Sequence, residues 1–126
     1  MPRVYVAHQP RPTAGPNSRN TYDITPALQY GEVVFVFEAS FSPSSNPEEA
    51  AEIAHEKLKD IQPGDYIVWA GGDPLAAFIV GALAADKTAG QLKYLRWDRE
   101  RGDGGIATGR GCYSPVALEL FTDAED

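Results

Sequence analysis

Two helices in this chain begin the same way, with a short polar side chain, then proline, then a run of helix formers, and each follows an apolar strand-forming segment. The first is "NPEEAAEIAHEKLKDI", in which Asn46 takes the cap, Pro47 the first helical position, and Glu49 completes a capping-box pattern. The second is "DPLAAFIVGALAADKTAG", with Asp73 as cap, Pro74 at the first position and Gly90 as the stop. "EVVFVF" (residues 32–37) comes before the first helix and "DYIVWAGG" before the second. Alternation of this kind admits few folds, because strands joined by helices run parallel and need those helices packed on the faces of the sheet.

Spacing separates the two helices in character. Ala50, Ala54, Leu58 and Ile61 recur at helical period and predict an inward face, while Glu48, Glu52, Glu56 and Lys59 point to water. The second helix is apolar around most of its circumference, which predicts deeper burial. "RVYVAH" (3–8) is a further strand, rich in β-branched and aromatic residues. "TPALQYG" (25–31) predicts a helix of one to two turns, with Thr25 as cap and Gly31 as stop. "LKYLRW" (92–97) and "CYSPVALELF" (112–121) are the last two strands, and with no helical pattern between them they pair antiparallel. Pro115 suits an edge strand. Two segments lack any regular pattern and predict long loops, about 9–22 and 98–111.

These elements give an α/β fold: a single-domain, Rossmann-like three-layer sandwich around a mainly parallel five-stranded sheet, order 2-1-3-4-5, with the last strand antiparallel. The 126 residues, 43% of them hydrophobic and 23% charged, suffice for one core and leave no room for a second. A formal net charge of −7 argues against direct binding to nucleic acid, which needs Lys and Arg to displace counterions. The same charge leaves open an acidic surface that competes for a basic partner, or mimics nucleic acid. Cys112 is the single cysteine, so no internal disulfide forms and a cytoplasmic location is expected. The start lacks the apolar stretch of a signal peptide, and no apolar run reaches the length of a bilayer span. Oligomeric state leaves no mark in the periodicity.

In a sheet of this order, ligands bind beyond the carboxyl ends of the first and third strands. Two segments reach that crevice. One is the loop after the first strand, with His8, Gln9, Arg11 and Arg19; the other is Gly71-Gly72-Asp73. The glycines permit close approach of a ligand, and free amides at the helix start favour an anion. Asp73 opposes a phosphate there, so Arg11 or Arg19 would take that group and Asp73 a hydroxyl or amine. The competing interpretation is structural, with glycines for a tight turn and Asp73 as a plain cap. No dinucleotide fingerprint or phosphate loop is present, because the third glycine and the Gly-Lys-Ser/Thr sequence are missing.

No cofactor or metal is expected: with two histidines, His8 and His55, and one cysteine, the chain lacks a ligand set for zinc or iron. No catalytic residue stands out, and Asp23, Glu38 and Asp73 are carboxylates without a signature of catalysis. Cys112, two residues from Arg110, reads as a packed or idle thiol, with a reactive thiol as the alternative. Trp69 and Trp97, with Tyr66 and Tyr94, are expected in the core. "RWDRER" mixes Arg96, Arg99 and Arg101 with Asp98 and Glu100, either as a docking surface for a partner or as a solvated hairpin stem.

Taken together, "VYVAHQP", "DITPALQYGEVVFVF", "DYIVWAGGDPLAA", "LKYLRWDRE" and "YSPVALEL" resemble a group of small bacteriophage-encoded proteins of unknown function. The resemblance covers most of the chain outside the two long loops and carries no catalytic motif. It implies an accessory phage protein of the bacterial host cytoplasm that binds a host protein or a small nucleotide and has no enzymatic activity of its own. An enzyme or sensor acting on a nucleotide in the switch-point crevice is the alternative.

Overall fold

The strand Arg3–His8 (β1) is buried almost throughout, because it lies in the interior of the sheet with side chains on both faces covered. In the computed structural model the described residues are 2–10, 25–101 and 107–121, excluding the side chains of residues 25, 26, 98–101 and 107–112. The elements after β1 are a 3₁₀ helix (Thr25–Tyr30), β2 (Glu32–Phe37), α1 (Pro47–Lys57), β3 (Tyr66–Val68), α2 (Pro74–Lys87), β4 (Gln91–Arg101) and β5 (Ala107–Glu119). They form an α/β fold on a mixed five-stranded sheet of order β2-β1-β3-β4-β5. β1 pairs parallel with β2 and β3, β3 pairs parallel with β4, and β5 closes one edge antiparallel to β4.

The strand order is the expected one, and the three-layer arrangement is met in part. α1 and α2 share one face, where Tyr5, Ala7, Val36 and Phe37 of the sheet meet Ala50, Ala54, Leu58, Ala76, Val80 and Ala84. On the other face Val4, Val6, Val68 and Leu95 pack with Ala27 of the 3₁₀ helix and with Tyr113. That second layer is one short helix, and its tight winding fits its length: the Gly31 amide reaches back three residues to the Leu28 carbonyl. β2, apolar from Val33 onward, is only half-buried at Val33, Val34 and Phe35, since it forms an edge.

The inward positions of α1 are those its spacing predicts, and Ala50, Ala54, Leu58 and Ile61 are all buried. Its start differs from expectation. The Asn46 side chain caps no backbone amide and donates instead to the Glu49 carboxylate at 2.7 Å, so the capping box does not close. At the opposite end of the sheet from the switch point, the buried Asp65 carboxylate accepts the amides of Arg3 at 2.8 Å and Gln62 at 2.9 Å and ties β1 to the turn before β3.

The hairpin corrects a second expectation. The segment 98–111, read as loop, is strand over much of its length: β4 continues to Arg101 and β5 begins at Ala107, with a register irregularity between Arg99 and Arg101. Cross-strand pairing holds Gly111 opposite Arg99 in a ladder that its own propensity would not favour. Pro115 sits in the edge strand, opposite Leu95.

Candidate functional site

His8 is the last residue of β1, and its ring points at the junction of three segments. Nδ1 accepts the Asp73 amide at 3.1 Å, and Nε2 lies 3.1 Å from the Glu38 carbonyl just past β2. An amide donating to Nδ1 requires its lone pair, so the proton sits on Nε2 and is donated to Glu38. The edge of the ring meets Phe37, with centroids 6.4 Å apart at 84°. Gly72 follows from this ring: its φ is +89°, and a Cβ there would lie 2.5 Å from His8 Nδ1. The tight Gly-Gly corner is therefore shaped to receive a histidine of the same chain.

Asp73 completes the junction. Its Oδ1 accepts the Leu75 amide at 3.0 Å, which makes it the cap of α2. Its Oδ2 accepts the Ser44 amide at 2.9 Å, from the loop between β2 and α1. The Ser44 hydroxyl first, then the amides of Leu75 and Ser44, hold the Asp73 carboxyl below its ordinary range. Gln9 adds a parallel tie, its amide donating to the Phe37 carbonyl at 2.8 Å and its Oε1 accepting the Ala39 amide at 3.3 Å.

The structure thus brings His8, Gln9, Gly71, Gly72 and Asp73 together at the carboxyl ends of β1 and β3. Arg11, Arg19 and Asp23 lie outside the described residues. Chemically the junction is a set of satisfied donors and acceptors: both nitrogens of His8 and both oxygens of Asp73 face partners within the chain. Ser44 and the Glu38 carbonyl are the partners that sequence did not disclose.

Of the residues considered for docking, Arg96 is exposed on β4, and Asp98, Arg99 and Arg101 continue the strand opposite Cys112, Gly111 and Ala107. The side chains of the last three lie outside the described residues. His55 is exposed on α1. Among the described residues no group of three His, Cys, Asp or Glu side chains is placed to hold a metal ion, and no helix is long and apolar enough to cross a membrane.

A second feature lies beside the junction. Between α2 and the sheet runs an apolar cleft of about 150 Å³, with Trp69 and Tyr94 along the sheet side, Ala77 and Gly81 on the helix, and Ile67 and Val80 toward the core. The expectation that Trp69 belongs to the core is corrected here, since the residue follows the three-residue β3 and is 38% exposed. Trp97 does pack, meeting Tyr113 edge-on at 4.9 Å between centroids. Phe78 on α2 is 74% exposed, so the deep burial predicted for that helix holds on one side only. No sequence signal marks the cleft, because it depends on how much of the sheet α2 covers.

Searches of the curated proteins and of the solved structures give no match. The family model described as phage Pam3 gp32-like protein matches residues 2–103, most of the chain and every element from β1 into β4. That span includes His8, the Gly71-Gly72-Asp73 corner and the whole lining of the cleft, and the chain belongs to the phage Pam3 gp32-like family.

Proposed function

We propose that this phage-family protein is a non-enzymatic accessory protein that binds a protein of the bacterial host, in the cytoplasm, and modulates a host process. The observation that carries this is the contrast between two neighbouring surfaces. At the switch point of the sheet, where the Rossmann-like order would seat a small ligand, the polar groups are engaged with one another by His8, Asp73 and Ser44. Next to it, the apolar side chains of Trp69 and Phe78 stand partly in solvent, 38% and 74% exposed, beside an apolar cleft. A nucleotide would have to displace the internal bonds of the crevice, whereas a protein partner needs only the surface already exposed.

The test is retention of a bacterial protein from host lysate on the immobilised full chain, run in parallel with Phe78→Asp. A protein held by the wild type and lost with Phe78→Asp supports the proposal. Equal retention by both, or none by either, overturns it. A thermal-shift series with nucleotides and cyclic nucleotides at millimolar concentration is expected to leave the midpoint unchanged, and a rise would favour the crevice instead.

A further inference from the structure

We infer that His8 is an acid-sensitive latch: a second proton on its ring breaks the bond to the Asp73 amide and releases the start of α2 from β1. The ring is 6% exposed and is held from three sides. Nδ1 accepts the Asp73 amide at 3.1 Å, Nε2 meets the Glu38 carbonyl at 3.1 Å, and Phe37 packs against the ring edge. An imidazolium carries a proton on both nitrogens, so neither can accept. Nε2 keeps its partner in that form, but Nδ1–H faces the N–H of Asp73, donor against donor. Gly72 packs against the same ring atoms, so the two N–H groups cannot part without moving the corner.

Among the described residues, two carboxyl-bearing residues face the ring. Asp73 does so from the start of α2, with its oxygens already held by the Leu75 and Ser44 amides. Glu38, just past β2, offers its carbonyl to the ring and is itself exposed. Their charges attract an imidazolium, but in the closed corner they leave Nδ1–H facing an amide and not an oxygen, so the attraction favours a ring that has swung out. The open corner therefore takes up a proton for which the closed one has no place, and closure weakens as pH falls. Imidazole is the side chain whose charge ordinarily changes between about pH 5 and 8, so mild acid is the trigger, above the range in which carboxylates lose their charge. Once the latch is open, Ser44 alone ties the Asp73 cap to another segment, and α2 carries Phe78 on a looser start.

The experiment follows hydrogen exchange of the Asp73 amide in the full chain from pH 8 to pH 5, with the Arg3 amide as reference. Arg3 donates to the Asp65 carboxylate at 2.8 Å, a side-chain-held amide at the opposite end of the sheet. Protection of Arg3, taken against its intrinsic exchange rate, is expected to hold, whereas that of Asp73 falls by up to about tenfold per pH unit, the limit set by uptake of one proton. His8→Gln offers one atom that accepts and one that donates, and it takes up no proton in this range, so the fall is expected to vanish. Should that variant fail to fold, the ring nitrogen resonances of His8 in the wild type decide: the Nε2–H form at pH 8 is expected to give way to the doubly protonated ring in step with the loss of Asp73 protection. Asp73 protection that stays level with that of Arg3 down to pH 5, a fall that persists in His8→Gln, or a doubly protonated ring beside a protected Asp73 amide overturns the latch.

Discussion

α1 and α2 start with the same device and end up in opposite relations to their surroundings. Each opens on a polar residue followed by proline, and each lays small apolar residues on the same face of the sheet. α1 turns Glu48, Glu52 and Glu56 to water; the Asn46 side chain before it donates only to Glu49 of the same helix, while the Asn46 amide donates to the carbonyl of the buried Pro43 at 3.3 Å. α2 is fastened at its start by His8, Ser44 and Leu75 around Asp73, and it turns Phe78 to water. The side chain before α1 stays within its own helix, which is well solvated, whereas the start of α2 is bonded to two other segments and its outer side carries an exposed aromatic ring. A rigid element with an apolar outer strip is what a binding surface needs, because little ordering entropy remains to be lost on association.

The strongest way to break the comparison is at the residue before each cap. Gly72→Ala forces a left-handed φ on alanine and drives its Cβ into the His8 ring, so the expected loss is about 3 kcal/mol in chemical denaturation. Ser45→Ala, the equivalent change ahead of α1, removes only an exposed hydroxyl contact with Ser42 and is expected to cost less than about 0.5 kcal/mol. Similar losses for the two variants would show that α2 is not fastened more firmly than α1.

The caps come next, and their difference has a pH signature. The folded-state pKa of Asp73 is lowered by Ser44 and Leu75, so its contribution to stability is complete above the unfolded value of about 4 and is lost as pH falls through the lower folded value. Asp73→Ala is expected to lower the melting midpoint by several degrees at neutral pH and by progressively less in acid below about pH 4. Asn46→Ala, which removes no backbone cap, is expected to shift the midpoint little and without that pH dependence. Thermal melts of both variants from neutral pH into acid make the check.

How far these features could be read from sequence follows from how local their causes are. The inward face of α1, the Asp73 cap and the strand order rest on spacing and connection length, which the sequence displays directly. The His8–Asp73 and Ser44–Asp73 bonds join residues 65 and 29 positions apart, and no local pattern encodes them. Gly72, half of the glycine pair that suggests a ligand site, proves to accommodate His8, because a ring from the chain itself and a ring from outside ask for the same space. Trp69 stands outside the core for a related reason. An aromatic residue after a strand reads as core, and only the limited reach of α2 across the sheet leaves it at the rim of a cleft. The hairpin strands run further than local pattern indicates because cross-strand partners, which a single segment does not reveal, extend β5 through Gly111.

Gly81 sharpens the comparison with a smaller effect of opposite sign. Gly81→Ala adds a methyl to a helix interior where nothing stands within 4 Å, and it is expected to stabilise the protein by about 0.5–1 kcal/mol. In α1 the reverse change, Ala51→Gly at a half-buried position, is expected to cost a similar amount, about 0.5–1 kcal/mol. A destabilising Gly81→Ala would mean that the cleft closes on the glycine in solution and is not open as described.

The smallest expected effect on folding concerns the outer faces themselves. Phe78 is 74% exposed, so little of its ring surface is removed from water on folding, and replacement by serine forfeits only a small part of the usual core contribution. Phe78→Ser is therefore expected to change stability by less than about 0.5 kcal/mol, as is Glu52→Ser on α1. The two substitutions should separate in what they do to association: partner retention falls for the first and holds for the second. If Phe78→Ser instead cost as much as a core truncation, about 3–5 kcal/mol, the ring would be packed in solution and the outer strip of α2 would be part of the core. Near-neutral stability combined with lost retention would place Phe78 among residues that act on a partner without supporting the fold.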